Sequence, residues 1–279
     1  MAILHRMFEK PIFRSSTGME VDGQSKFLTH TFPDPFLAKH ETLEIIVLTD
    51  VQFGHICCKV DKFIEYRDWV LEKPYRFCLF GGDMIDAYRI GSPGTGYDNL
   101  FMPDTQAWKF CEMVAPLKHR VLGFVGGNHE RRGLAGGLDW GNLLSFMLEI
   151  PYSNGGQMIA VKFGPKWSAR GGFPIYLWHG RGAARTAGAQ VNMTLSAVPN
   201  DEALVYFSGH IHNSHAKVCW RMKREHKKMT MTPERYYVVS ASSFLEHYGS
   251  YNEVFGGTYS GLHMPVLNIH ADGRYRVEL

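Results

Sequence analysis

The stretch of sequence that most constrains the fold is Phe77–Asp86, in which a short apolar run ends in two glycines and an aspartate. An apolar run of this length, bounded by glycine, is typical of a strand buried in a parallel sheet. Gly81 and Gly82 allow the sharp turn that follows. The pattern predicts that Asp83 stands at the carboxyl end of a central strand, the edge where open α/β sheets bind ligands. A helix N-cap is the alternative role for this aspartate.

The composition is that of an ordinary globular protein, with 279 residues of which 45% are hydrophobic and 20% are charged. A formal net charge of +3 is too small to indicate a polyanionic partner from the total alone. The five cysteines have neither the spacing of a zinc site nor that of a disulfide framework. No signal-peptide layout and no window of about 18 apolar residues is evident, so we expect a cytoplasmic protein without a membrane partner.

The chain is expected to form one main domain, residues 41–279, preceded by an N-terminal arm, residues 1–40, that packs on it. The arm region mixes charges with prolines and glycines and has no sustained period. Leu43–Thr49 is a strong strand signal that ends in Asp50. A helical pattern from Asp61 to Leu71 joins this strand to the next one, which predicts a βαβ unit.

Three further predicted strands also end in polar residues that bind metals. Val121–Val125 runs into Asn128 and His129, Phe173–Trp178 runs into His179, and a strand at 203–207 runs into His210 and His212. If the five strands are neighbours in the sheet, these side chains meet along one edge. Oxygen and imidazole ligands without thiolate suit Mn²⁺, Fe or Zn²⁺. The ligands exceed what one ion needs, and two ions about 3.5–4 Å apart that share a carboxylate are suited to phosphoester hydrolysis.

The order of these blocks resembles the calcineurin-like metallophosphoesterase superfamily. The blocks are Asp50, Gly-Gly-Asp at 81–83, Gly-Gly-Asn-His-Glu at 126–130, His-Gly at 179–180 and Gly-His-Ile-His at 209–212. The resemblance implies an α/β fold, a four-layer sandwich of two mixed β-sheets flanked by helices. It also implies a dinuclear centre of two divalent metal ions, with Mn²⁺ as the first choice and Fe or Zn²⁺ as alternatives.

The same resemblance implies a role for each matched residue. Asp50 and His212 would hold the first ion, and Asp83 would bridge the two ions. The second ion would be held by Asn128, His179 and His210. His129 would protonate the leaving oxygen while a metal-activated water attacks phosphorus, and an imidazole can donate such a proton near neutral pH.

One position departs from the family pattern, because Gln52 stands where the family usually has histidine. Gln52 is expected to bind the metal through its amide oxygen. Because an amide oxygen is a weaker donor than imidazole, we expect the first ion to be loosely held. His55 could substitute for it or contact phosphate, with a polar loop residue as the alternative. Arg131 or Arg132 could clamp phosphate, with a solvated loop as the alternative.

The sequence therefore predicts a metal-dependent phosphoesterase with His129 as general acid. A phosphomonoester or nucleotide substrate competes with a nucleic-acid phosphodiester, as in the nuclease branch of the superfamily. The basic segment 221–235 is where nucleic acid would bind, although a solvated hairpin or loop explains it as well. A binding or scaffold protein that has lost turnover is a third hypothesis, and Gln52 is its only support.

Overall fold

Two mixed β-sheets form the centre of the protein in the computed structural model, which describes residues 20–24, 26–92, 94–198, 202–225, 229–254, 256–257 and 259–279. In chain order the strands are β1 (Glu20–Gln24), β2 (Phe27–Thr31), β3 (Thr42–Leu48), β4 (Arg76–Phe80), β5 (Val121–Val125), β6 (Tyr152–Ser153), β7 (Gln157–Lys162), β8 (Phe173–Leu177), β9 (Val205–Ser208), β10 (His215–Glu225), β11 (Thr230–Ser240), β12 (Val266–His270) and β13 (Tyr275–Glu278). The helices are α1 (Asp34–Leu37), α2 (Val60–Glu72), α3 (Pro103–Val114), α4 (Trp140–Leu148), α5 (Gly164–Ser168), α6 (Ala187–Leu195) and α7 (Tyr251–Val254).

Each sheet combines parallel and antiparallel pairs. One sheet has six strands in the order β13-β12-β3-β4-β5-β6, and the other has seven in the order β1-β2-β7-β8-β9-β11-β10. Strands β3, β4 and β5 are parallel neighbours in the first sheet, and β8, β9 and β11 are parallel neighbours in the second. Both sheets therefore have an edge at which several carboxyl ends lie side by side, where α/β proteins bind ligands.

The main core lies between the two sheets and continues under the helices on the outer side of the six-stranded sheet. Ile45 and Leu79 from that sheet and Ile175 from the other belong to one buried cluster. Phe63 of α2 and Phe110 of α3 pack together with a ring-centroid distance of 5.9 Å. Helix α6 contacts β9 and β11 on the far side. The predicted four-layer sandwich of two mixed sheets flanked by helices is therefore confirmed. None of the helices in these described ranges has the length and apolar character needed to cross a bilayer.

Part of the predicted N-terminal arm is built into the sheet. Strands β1 and β2 pair antiparallel, and β2 pairs parallel with β7. The sequence pattern did not predict these strands, because each is only five residues long and β1 contains Gly23, which weakens a strand signal. Residues 1–19 lie outside the described residues. The domain boundary at residue 40 stays a prediction.

The basic segment 221–235 belongs to the β10–β11 hairpin, and several of its cations are bonded within the protein. Arg221 and Lys223 form ion pairs with Glu234, at 2.6 Å and 3.1 Å. Arg235 donates a hydrogen bond to the backbone oxygen of Tyr275 at 2.8 Å. Residues 226–228, which carry two of the predicted cations, lie outside the described residues. These bonds favour a structural role for Arg221, Lys223 and Arg235.

His30 gives the fold a testable acid sensitivity. Its ring is buried on β2, with Nε2 2.6 Å from the backbone oxygen of Leu122. Burial lowers the pKa of His30 to about 4, although the hydrogen bond to Leu122 opposes the shift. The unfolded chain therefore takes up this proton near pH 6.5 while the folded chain does not. Stability is lost as the pH falls through this window, by about 2 kcal/mol between pH 7 and pH 5.

The test is urea unfolding of the wild type and His30→Phe at both pH values. The variant should lose about 2 kcal/mol less than the wild type on acidification, because it has no proton to take up. An equal loss in both proteins would contradict the assignment.

Candidate metal centre

The five polar strand ends converge in the structure, but they come from two sheets rather than one. Asp50, Asp83 and Asn128 follow β3, β4 and β5 of the six-stranded sheet. His179 and His210 follow β8 and β9 of the seven-stranded sheet. The expectation of a single sheet edge was therefore too simple. The carboxyl ends of both sheets face one cleft, and the connecting loops carry the side chains into it.

Most of the predicted ligands have an unusual backbone conformation. Asp50, Gln52 and Asp83 have φ values of 51°, 49° and 53°, and His210 and His212 have values of 70° and 55°. For residues with a side chain this left-handed region costs about 1 kcal/mol or more per residue. Such strain persists where the surrounding structure fixes it, which is common at functional sites. The same turn aims each side chain away from its strand and into the cleft.

Two glycines permit this close approach of loops. A Cβ atom on Gly127 would overlap the carboxylate and backbone nitrogen of Asp83, and one on Gly209 would overlap Thr49 and the carboxylate of Asp50. The glycines before Asn128 and His210 therefore have a steric reason as well as a turn-forming one. An alanine at either place would push the metal-ligand loops apart.

One group of side chains surrounds a point near Asp83. Single ligand atoms of Asp83, His179 and His210 all lie within 4.8 Å of one another. Asp83 Oδ2 lies 3.2 Å from His179 Nε2. Asn128 Oδ1 lies 2.9 Å from His210 Nδ1 and 3.2 Å from His179 Nε2. Such spacings suit the ligands of one cation that binds each at about 2.1 Å.

The histidines of this group are held by their other ring nitrogens. His179 Nδ1 lies 2.8 Å from the backbone oxygen of Gly81, and His210 Nε2 lies 2.7 Å from that of Gly182. A carbonyl at one ring nitrogen fixes the proton there and leaves the lone pair of the other nitrogen free for a cation. This second contact is typical of metal-binding histidines.

A second group lies around Asp50. Asp50 Oδ2 accepts hydrogen bonds from Thr49 Oγ1 at 2.7 Å and from the backbone nitrogen of His210 at 2.9 Å. His212 Nε2 lies 3.2 Å from Asp50 Oδ1. Gln52 Oε1 is buried without a hydrogen-bond partner among the described residues, and Asp50 Oδ1 has none besides this contact with His212. Buried oxygen acceptors left in this way are costly unless something else binds them, and a cation fits both.

The charges of the site also favour a cation. Burial alone would raise the pKa of Asp83, but His129 and His179 outweigh it and hold that pKa well below its usual range. Burial alone would lower the pKa of His179, but Asp83 and Asp50 outweigh it and raise it to about 10. The buried carboxylates thus favour protonated histidines in the cleft. A divalent ion would supply the same positive charge in place of those protons. The residues present fit a metal centre.

His129 lies beside this group with both ring nitrogens engaged. Nδ1 is 2.7 Å from the backbone oxygen of Asp86 and 3.2 Å from its carboxylate. Nε2 is 2.9 Å from Arg132 Nη2 and 3.6 Å from Asp83 Oδ2. Burial opposes protonation of His129, but Asp83 and Asp86 outweigh it and raise the pKa. Asp86 is thus the partner of the His129 imidazole.

Glu130 is a buried residue to which the sequence reasoning gave no role. Its carboxylate accepts hydrogen bonds from the backbone nitrogens of Asp83 at 2.8 Å, Met84 at 2.6 Å and Gly127 at 2.8 Å. One side chain therefore ties the loop after β4 to the loop after β5. Glu130 was part of the quoted Gly-Gly-Asn-His-Glu block, but nothing in the sequence indicates which backbone groups it binds.

Replacing Glu130 with alanine should lower the free energy of unfolding by about 3 kcal/mol, because three buried donors lose a charged acceptor. Urea unfolding of the metal-free protein measures the change. Glu112→Ala removes an exposed glutamate from α3 and should change stability by about 0.5 kcal/mol at most. Equal unfolding midpoints for the two variants would contradict the role of Glu130 in joining the two loops.

The three residues predicted to contact phosphate, Arg131, Arg132 and His55, differ in their position relative to a cleft of about 370 Å³. Arg132 lines the cleft, together with His129, Asn128 and Tyr251. Arg131 is turned away and binds Asn154, with Nε 2.9 Å from its side-chain oxygen. His55 is buried, and its Nδ1 accepts a hydrogen bond from the backbone nitrogen of Cys57 at 3.0 Å. Of the two arginines, the geometry favours Arg132 as the one that reaches a bound phosphate.

Tyr251 is a further cleft residue that the sequence did not single out. Its hydroxyl oxygen accepts a hydrogen bond from Gln52 Nε2 at 2.7 Å. Tyr251 also lines the cleft. The sequence does not indicate its contact with Gln52, since the two residues are far apart in sequence and no motif connects them.

No protein-family model matches the sequence, and no curated protein matches it. Among solved structures, a metallophosphoesterase from Sphaerobacter thermophilus is similar at 11% identity and a TM-score of 0.40, over 85% of this chain and 86% of that one. A predicted phosphoesterase from Streptococcus pneumoniae is similar at 13% identity and a TM-score of 0.35, over 86% of this chain and 98% of that one. Vps29 from Entamoeba histolytica, complexed with Zn²⁺, is similar at 13% identity and a TM-score of 0.33, over 85% of this chain and 97% of that one.

A likeness at these identities and TM-scores does not extend to activity or substrate. The strand order, the two sheets and the convergence of five strand ends are observed in this chain itself. They agree with the sandwich of two mixed β-sheets that the sequence predicted.

Proposed function

We propose that this protein is a metal-dependent phosphoesterase that hydrolyses P–O ester bonds of a small substrate. The observation that carries the proposal is the group of Asp83, His179 and His210, whose ligand atoms lie within 4.8 Å of one another. Asn128 adjoins this group, and His129 stands beside it with its pKa raised. Ligands and a proton donor are thus combined in one cleft, as phosphoester hydrolysis requires.

The proposed ligands fall into two sets that meet at Asp83. Asp50, Gln52 and His212 would hold the first ion, and Asn128, His179 and His210 would hold the second. When bound, two divalent cations neutralise phosphoryl oxygens and lower the pKa of water. Mn²⁺ is the proposed metal, with Fe and Zn²⁺ as alternatives, because the donors are oxygen and imidazole.

His129 is proposed to protonate the leaving oxygen. Asp86 engages Nδ1 at 2.7 Å through its backbone oxygen, which directs Nε2 toward the cleft. A protonated Nε2 can deliver its proton to the departing alkoxide. Because Asp83 and Asp86 raise the pKa of His129, the imidazolium is retained nearer to neutral pH than burial alone would allow.

Arg132 is proposed to orient the phosphoryl group. Its Nη1 donates to the backbone oxygen of Asp86 at 2.6 Å, and its Nη2 lies 2.9 Å from His129 Nε2. A substrate phosphate in the cleft would compete with His129 for this guanidinium, which suits bidentate contact with anionic oxygens. Arg132 would then leave Nε2 free for its role as a proton donor.

A small substrate is favoured over nucleic acid by two observations. The cleft volume of about 370 Å³ is near the lower end of the range for small-molecule sites. In the basic segment, Arg221 and Lys223 are paired with Glu234, and Arg235 is bonded to the backbone oxygen of Tyr275. A nucleic-acid phosphodiesterase is the second candidate, and a binding protein without turnover is the third.

The test is hydrolysis of p-nitrophenyl phosphate and bis(p-nitrophenyl) phosphate by the full chain with added Mn²⁺. The proposal predicts metal-dependent release of p-nitrophenol that a chelator stops and fresh Mn²⁺ restores. A single-stranded DNA substrate in parallel tests the second candidate. Binding of Mn²⁺ without turnover of any of these substrates would support the binding protein and contradict the enzyme.

A further inference from the structure

We propose that Tyr251 is a positioning residue that orients the Gln52 amide, so that its oxygen rather than its nitrogen faces the first metal ion. The inference rests on the proposed metal centre and deepens it. It explains how a glutamine can serve as a ligand in that place.

The contacts of Gln52 define the two ends of its amide. Nε2 donates to the Tyr251 hydroxyl oxygen at 2.7 Å, and it also lies 3.4 Å from His212 Nε2. Oε1 is buried and has no hydrogen-bond partner in the described part of the chain. Gln52 itself is fully buried, so water does not compensate this oxygen at the surface. The amide oxygen is therefore free for a cation, and the amide nitrogen is not.

An amide has to be oriented if it is to bind a metal. Turned by 180°, the Gln52 side chain would present two N–H donors to the cation, and such donors repel positive charge. The Tyr251 hydroxyl accepts the N–H of Gln52 in the structure, and this orientation leaves Oε1 for the cation. Contacts of this kind around the ligands set metal affinity in many sites.

The segment that carries Tyr251 is hydrogen-bonded to Asp50, a proposed ligand of the first ion. The hydroxyl of Ser243 and the backbone nitrogen of Phe244 donate to the backbone oxygen of Asp50 at 2.9 Å and 3.0 Å. The Tyr251 ring lies 6.1 Å from that of His55 and 6.4 Å from that of His212, between centroids. The hydroxyl is thus held in place by packing on two sides and by the loop that binds Asp50.

The test is a calorimetric titration of the metal-free full chain with Mn²⁺, for the wild type, Tyr251→Phe, Gln52→Ala and the double variant. Tyr251→Phe should weaken binding of one of the two ions by about 10-fold to 100-fold. The same change in the Gln52→Ala background should have no further effect, since there is no amide left to orient. Tyr248→Phe, at an exposed tyrosine of the same segment, should bind Mn²⁺ as the wild type does.

Two results would overturn the assignment. The first is wild-type affinity in Tyr251→Phe, and the second is an equal loss of affinity with and without Gln52. Either result leaves the phosphoesterase proposal standing, whereas a wild-type protein that binds no Mn²⁺ overturns both.

Gln52→Glu provides a second test that does not depend on amide orientation, because both of its terminal atoms are oxygens. In that background Tyr251→Phe should leave Mn²⁺ affinity close to that of the Gln52→Glu single variant. A full 10-fold loss there would show that the hydroxyl acts other than by orienting Gln52, and would overturn the assignment.

Discussion

Replacing Asp83 with asparagine should reduce Mn²⁺-dependent phosphodiester hydrolysis by about 10³-fold or more, the largest effect expected from any single side chain. Asp83 is buried beside His179 and His210, and its carboxylate is proposed to join the two ligand sets. Asparagine keeps the shape and can still accept the hydrogen bond that the His129 backbone nitrogen donates to Oδ1 at 2.8 Å. It removes the negative charge that two cations would share. Steady-state hydrolysis of bis(p-nitrophenyl) phosphate measures the loss.

Metal binding gives this prediction a second readout. Mn²⁺ that binds the folded protein alone should raise the unfolding temperature of the wild type, and this rise should disappear in Asp83→Asn. Asp104→Asn, an exposed aspartate at the start of α3, should behave as the wild type in both assays. A variant that keeps its Mn²⁺-dependent rise in unfolding temperature and its hydrolysis rate would show that Asp83 is not shared by metals.

Replacing His129 with asparagine should lower kcat by about 10²-fold to 10⁴-fold while Mn²⁺ affinity stays close to that of the wild type. The reason is that His129 is proposed to supply a proton, not a ligand. Its Nδ1 is engaged by Asp86, and its Nε2 faces Arg132 and the cleft. Single-turnover hydrolysis and calorimetric titration separate the two quantities.

The control for this variant is His119→Asn, which changes an exposed histidine after α3. An equal loss of turnover and of metal affinity in His129→Asn would identify His129 as a ligand and remove it from the acid role. Substrates with a better leaving group provide a further check. The defect should shrink for nitrophenolate relative to an alkyl alkoxide, because the better leaving group needs less help from a proton donor.

Much of the fold was predictable because the buried parallel strands have an unmistakable apolar signal. Leu43–Thr49 and the run before Gly81 appear as β3 and β4. β3 runs into Asp50 and β4 runs into two glycines and Asp83, and the carboxyl ends of parallel strands share an edge. Sequence reasoning could therefore predict that the polar residues meet.

The rest depends on contacts between distant segments, which leave no periodic signal. The strand patterns do not indicate which of the two sheets contains β8 and β9. The hydrogen bond from Gln52 to Tyr251 and the three backbone bonds to Glu130 are likewise set by tertiary packing. Sequence reasoning could not separate Arg131 from Arg132 either, because the loop conformation after β5 decides which side chain turns into the cleft.

The most direct test of the account is anomalous diffraction from crystals of the full chain grown with Mn²⁺. We predict two manganese peaks on either side of the Asp83 carboxylate. One peak should lie beside Asp50, Gln52 and His212, and it should be the weaker because an amide replaces an imidazole there. The other should lie beside Asn128, His179 and His210. Crystals in which manganese is absent from this cleft, or binds away from Asp83, would contradict the proposed centre.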